Sequence, residues 1–214
     1  LRFVPNSGVT SVNLMQFSGE RPSLQNVKIT GVFDSTHSGN AIIFGSGANQ
    51  ASDVYIAGMH LDLEGVLATA HIVHGIQFSA DLDGFVLENF TIQRCRYGLL
   101  KGSTNTSNQT RIALRNGMIK NNTKGNCKFK TPSGVIDDVE VSGVRFFRDA
   151  DYHDGDQDQG GLGGAKATNF RFSDLHMEGT MNDALHFEEG AGPGTVTNVT
   201  AKLTGHNFSY GGSG

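Results

Sequence analysis

The stretch FVLENFTI, Phe85 to Ile92, places Phe85 and Leu87 in one apolar alternation and Phe90 and Ile92 in a second, with Glu88-Asn89 between them. Alternation with a period of two marks a strand with one buried face. The turn-forming pair in the middle marks a sharp bend between two short strands. Five other segments repeat the pattern: VKITGVFD from Val27, VYIAGMHL from Val54, IALRNGMI from Ile112, VEVSGVRF from Val139 and FRFSDLHM from Phe170. A weaker seventh copy, VTAKLTGH, starts at Val199, so the starts are spaced 27, 31, 27, 27, 31 and 29 residues apart. Bends are expected at Thr30-Gly31, Ala57-Gly58, Glu88-Asn89, Asn116-Gly117 and Ser142-Gly143.

A second signal follows most units: NAIIF at Asn40, HGIQF at His74, YGLLK at Tyr97, GNCKF at Gly125 and DALHF at Asp183. Each reads as a further short strand. Units near thirty residues, with several short strands and no helical period, are what a β-solenoid requires, each unit being one coil stacked on the next. The expected fold is all-β: a single parallel β-helix of about seven or eight coils spanning residues 1–210, with 211–214 a flexible tail.

Composition agrees with a chain that bends often: Gly is 29 of 214 residues and Pro only 4, against a usual Gly content of roughly 7%. Net charge is −4, from 17 basic and 21 acidic residues, with no basic stripe to neutralise phosphates, which argues against nucleic acid as a partner. No apolar run approaches the length of a membrane span. The opening LRFVPNSG lacks the features of a signal peptide and suggests a fragment or processed chain. Cys95 and Cys127 are too few for a disulfide framework and read as half-buried free thiols.

The repeated units resemble the right-handed parallel β-helix of the pectin-lyase-like superfamily, over nearly the whole chain from about Val9 to Tyr210. That superfamily holds polysaccharide lyases, polygalacturonase-type hydrolases, epimerases and bacteriophage tailspikes, so the resemblance implies a fold and a polysaccharide partner more than one reaction. The polygalacturonase motifs Asn-Thr-Asp, Gly-His-Gly and Arg-Ile-Lys are absent, although Asp137-Asp138 gives an adjacent acidic pair and Gly205-His206 is followed by Asn207. The chain has no Trp and thus no Trp-x-Asp-His segment of the pectate-lyase kind. In character it looks closest to tailspike-like polysaccharide depolymerases, which implies an extracellular or virion-surface setting and a possible homotrimer.

Alternation also assigns faces. One outward column is expected to read Phe33, His60, Thr91, Met118, Arg145 and His176, and another Lys28, Tyr55, Val86, Ala113, Glu140 and Arg171. Ile43, Gln77, Leu100, Lys128 and His186 are the outward positions of the second signal. Exposed Phe33, Met118 and Leu100 would stack on sugar rings or pack against another chain. Loops looping out at Glu64 to Gly75, Lys101 to Thr110 and Arg148 to Gly164 would wall a groove over these columns.

The loop DYHDGDQDQGG, Asp151 to Gly161, carries the densest carboxylates. Asp154, Asp156 and Asp158 alternate as a hard cation favours, but Gln159 and Ala165 stand where an EF-hand needs Gly and Glu. No cofactor is therefore expected, with a nonstandard calcium site as the alternative. Glycoside hydrolysis needs two facing carboxyl groups, and Asp154, Asp156 or Asp158 with Asp183 or Glu188 would supply them. A lyase needs a base and a cation for the uronate, for which Arg145, His176 and Tyr152 are candidates. Substrate contacts are expected from His60, Tyr55, Arg171, His186, Tyr152 and His153. The sequence thus predicts a hydrolase or lyase acting on an extended glycan, with a non-catalytic glycan-binding adhesin or trimeric fibre segment as the alternative.

Overall fold

The computed structural model describes residues 1–4, 6, 8–45, 49–65, 72–101, 106–129, 133–149, 161–163, 166–179, 184–187 and 191–202. Every paired strand among them is parallel to its neighbours, and the strands form one sheet of 12 and one of 7. The chain alternates strictly between the two. Ser11–Phe17, Ser38–Phe44, Ile72–Phe78, Tyr97–Lys101, Gly125–Phe129, Leu162–Gly163 and Leu185–His186 make the smaller sheet. Between them run the rungs of the larger sheet, of which Leu82–Gln93, Gln109–Lys120 and Ile136–Phe147 are unbroken strands of 12 residues. This is a parallel β-solenoid, as the repeats predict.

Pairing fixes the pitch of the coil. Ser23, Tyr55, Val86, Ala113, Glu140, Arg171 and Thr195 are partners from rung to rung, which gives advances of 32, 31, 27, 27, 31 and 24 residues. Seven rungs enclose six turns, fewer than the seven or eight coils expected. At the usual strand spacing the stack is about 29 Å long.

Each rung bends at one residue held in the left-handed region. Asn26, Gly58, Asn89, Asn116, Gly143, Asp174 and Asn198 all have φ between 51° and 66° and lie in a single column. Asn, Asp and Gly tolerate this conformation best. Their side chains also stack. A Cβ on Gly58 would lie 2.5 Å from the Oδ1 of Asn26, and one on Gly143 would lie 2.7 Å from that of Asn116, so Gly follows where Asn reaches up the column. Farther along, Asn198 Nδ2 donates to Asp174 Oδ1 at 2.6 Å. A second left-handed column runs one leg earlier through Arg21, Asp53, Gly84, Arg111, Asp138 and Asn169. The two columns frame a middle leg (Phe85 to Glu88 and its counterparts), and a third leg (Phe90 to Gln93 and its counterparts) follows.

Inside the coil the inward series stack on one another. Phe44, Phe78, Phe85, Phe129, Phe146 and Phe172 are all fully buried. The Phe85 ring lies edge-on to Phe78 at 4.9 Å and to Phe44 at 5.4 Å, a favoured aromatic geometry. Removing one such ring costs about 3–5 kcal/mol.

The pairing corrects four expectations. The first and last units are displaced by five residues: the partner of Arg171 is Thr195, so the last unit aligns from Gly194 rather than Val199, and Lys28 pairs with His60 while Ser23 pairs with Tyr55. The first bend is therefore at Asn26, not Thr30-Gly31, whereas the bend expected at Asn116-Gly117 is there, with Asn116 the left-handed residue. Phe33 leaves the outward column, because after a bend at Asn26 it falls in the inward series with Ile29 and Gly31, 2% exposed and packed over Gly31. Ile43 and Leu100, at the outward positions of the smaller sheet, are buried at 9% exposure. Of the apolar side chains expected to stack on sugar or on another chain, Met118 alone is partly exposed.

Substituting Asn89 separates the bend from the side chain. Asn89→Gly is expected to leave stability nearly unchanged, whereas Asn89→Val, forced to hold φ near 53°, should lose about 1–2 kcal/mol in urea unfolding.

Candidate functional site

Two outward faces meet along the ridge formed by the Asn26 to Asn198 column. On the third leg the exposed column reads Lys28, His60, Thr91, Met118, Arg145, His176 and Thr200. His60, Thr91, Met118 and Arg145 line an open trough there. The column holds four basic side chains and no carboxylate, in a chain whose net charge is −4. Arg145 is exposed, and it directly adjoins His176 on the next rung. His60 lies three rungs before Arg145.

Carboxylates flank this column two positions further along the strands. Asp62 is 7% exposed, and it accepts from Arg94 Nε at 2.6 Å, from Arg94 Nη2 at 2.5 Å and from Gln93 Nε2 at 2.7 Å. His60 Nε2 lies 3.9 Å from its Oδ2. Burial pushes the Asp62 carboxyl up, but the bonds from Arg94 and Gln93 outweigh it and hold the group below its ordinary value. Glu178 accepts from Lys202 Nζ at 2.9 Å and lies 3.5 Å from His176 Nε2. Lys202 first, then His176, keeps it below the usual carboxylate range.

Over the middle leg lies a groove crossing five rungs, with Tyr55 at one end, Val86 and Ala113 on its floor and Glu140 and Arg171 at the other end. Ion pairs form its rims. Arg111 donates to Asp83 at 2.7 and 2.9 Å and to Asp53 at 3.2 Å. Arg115 donates to both oxygens of Glu140 at 2.7 and 2.9 Å, and Arg171 to Asp138 at 2.8 Å. Tyr55 donates to Glu88 at 2.5 Å, which raises the phenol above its ordinary value. The bond from Arg111, with help from Thr110, brings Asp83 down to about 2.

Of the residues expected at the site, the fold gathers His60, Arg145 and His176 on one face and Tyr55 with Arg171 on the other. It places His186 on the smaller sheet, apart from both. Asp154, Asp156, Asp158, Asp183, Glu188, Tyr152 and His153 lie outside the described residues, and with them the calcium alternative. Among the described residues no group of three or more His, Cys, Asp or Glu is arranged to hold a metal ion, and no helix is long and apolar enough to cross a membrane. Sequence analysis missed the Asp62–Arg94, Arg115–Glu140 and Tyr55–Glu88 pairs. Their one signal is the recurrence of charge at fixed offsets from the strand starts.

Fold and faces together define a parallel β-solenoid with two outward grooves of different charge. Comparison of the chain with protein-family models, with curated proteins and with solved structures finds no match.

Asp62→Asn removes the charge that Arg94 pairs with and is expected to lower stability by about 2 kcal/mol. Because the folded carboxyl titrates below 3.8, its contribution is complete above that value and is lost as pH falls through the lowered one. Chemical denaturation from pH 7 to pH 2 should therefore show a shallower acid loss in the variant than in the parent.

Proposed function

We propose that the protein binds an extended anionic polysaccharide along the third-leg face and cleaves it by β-elimination at Arg145 and His176. The observation that carries this reading is the column itself. Lys28 and His60 at one end and Arg145 and His176 at the other stand on adjacent rungs, about 4.8 Å apart, near the repeat of a uronate chain laid along the stack, with Thr91 and Met118 rather than an acid between the two pairs. Such a column attracts a polyanion although the chain as a whole is acidic.

Elimination needs few groups. Arg145 would neutralise the uronate carboxylate, which acidifies the proton on the adjacent carbon. His176, with Glu178 3.5 Å from its ring, would take that proton as the C–O bond to the next sugar breaks. The electron pair of the broken C–H bond forms the carbon–carbon double bond, and the leaving oxygen takes a proton from water. Hydrolysis would instead require a protonated carboxylic acid, and Asp62 and Glu178, the carboxylates beside this column, are held ionised by Arg94 and Lys202. Those same locked pairs favour a second reading, glycan binding without turnover, as in an adhesin or fibre. Either reading suits a protein that meets surface polysaccharide outside a cell or on a virion.

Polygalacturonate and alginate are the substrates to test, with ultraviolet absorbance of unsaturated ends as the readout. His176→Ala is expected to lower turnover at least ~100-fold while leaving binding measurable, and Arg145→Ala to weaken binding about tenfold as well. Binding without absorbance supports the adhesin reading. Absence of both, or unsaturated product formed equally by both variants, rejects the site.

A further inference from the structure

The middle-leg groove has no part in that reaction, and its chemistry differs. We infer that it is a second saccharide site, built for an uncharged, hydroxyl-rich glycan rather than for the anionic strand of the other face.

Charge argues first against a polyanion. The lining carries Arg111, Arg115 and Arg171 against Asp53, Asp138 and Glu140, and each guanidinium is already bonded to a carboxylate. A carboxylate brought into the groove would meet no surplus of positive charge and only cations already paired. Small cations find no cluster of three carboxylates, thiols or imidazoles among the described residues. An uncharged ligand meets neither barrier.

Shape and polarity argue for a sugar. Val86 and Ala113 floor the centre of the groove on successive rungs, and Gly84 lets the Arg111–Asp53 pair close over its near side, where a Cβ would lie 2.8 Å from Asp53 Oδ1. An apolar strip of this kind suits the C–H face of a pyranose ring. Tyr55, 36% exposed, stands at the end of the strip, where its ring offers an apolar contact and its hydroxyl, whose proton goes to Glu88, an acceptor. On either side the paired guanidinium and carboxylate groups present fixed donors and acceptors at the strand repeat. Their geometry is set before a ligand arrives, so little side-chain freedom remains to be lost on binding. The groove runs over five rungs, about 19 Å, enough for a short run of sugars parallel to the stack axis.

Titration calorimetry with three uncharged hexasaccharides, cellohexaose, xylohexaose and maltohexaose, tests the site directly. At least one is expected to bind, with affinity lowered at least tenfold by Ala113→Glu, which fills and charges the floor, and by Tyr55→Ala. Thermal unfolding checks that each variant is folded, and if Ala113→Glu is not, Tyr55→Ala decides. Excess polygalacturonate is expected not to displace the bound hexasaccharide. The inference is overturned if none of the three binds, if neither folded variant weakens binding, or if polygalacturonate competes. Failure of polygalacturonate to bind at all would count against the anionic site alone.

Discussion

The structure depends on one backbone constraint, a residue in the left-handed conformation at the same place in every rung. A strand that kept extended geometry would run past its neighbour and could not close a coil. Asn26, Gly58, Asn89, Asn116, Gly143, Asp174 and Asn198 each turn the chain through one residue without ending the ladder, so Glu88 and Phe90 both stay paired on either side of Asn89. Because the bend is stacked, inward side chains before and after it are stacked too, and the Phe and Ile columns of the core follow. Polar stacking reinforces it where Asn198 bonds Asp174 and where Gly58 and Gly143 leave room for the Asn before them.

A bend that flips no strand face sets two outward surfaces at an angle, sharing a ridge. Their charges differ for a local reason. On the middle leg, residues of opposite sign occupy neighbouring rungs or flank the same corner, as with Arg115 and Glu140 or Arg111 and Asp83, and close into pairs. On the third leg, Thr91 and Met118 separate His60 from Arg145, and the acids stand one outward position away, at Asp62 and Glu178, with partners of their own in Arg94 and Lys202. Arg145, in the middle of that column, is thus exposed with no acid beside it on its own column.

The fold was legible where bulk and spacing agreed. From Val54 to Phe170 the five central units align as their apolar alternation predicts, and the pairing of Val54 with Phe85 and Ile112 with Val139 follows. At the ends the same alternation misleads. Val54 and Ile56 before the bend look like Met59 and Leu61 after it, five residues on, so a terminal unit can slip by five with no loss of pattern. Lys28 and Val199 did so, and Phe33 went to the wrong face with them. Only the left-handed residue distinguishes the two halves, and Asn26 in "LQNVKI" is less conspicuous than Thr30-Gly31. The site was legible as columns and illegible as pairs. Contacts such as Tyr55 to Glu88 or Arg94 to Asp62 span 33 and 32 residues, and their partners depend on each coil's length.

Coil length therefore governs the surface as well as the stack. Where successive coils are 27 residues long, between Val86 and Glu140, the middle leg carries small apolar residues at its centre and pairs at its edges. The advance grows to 31 or 32 on the N-terminal side and to 31 after Glu140. Extra residues enter in the connections rather than in the legs, because a residue added to a leg would move every later side chain to the opposite face. Function can thus be added to the connections while the grooves keep their geometry. A groove fixed by the legs and varied only at its margins suits a repeating polymer, whose successive units present the same groups at the spacing of the rungs.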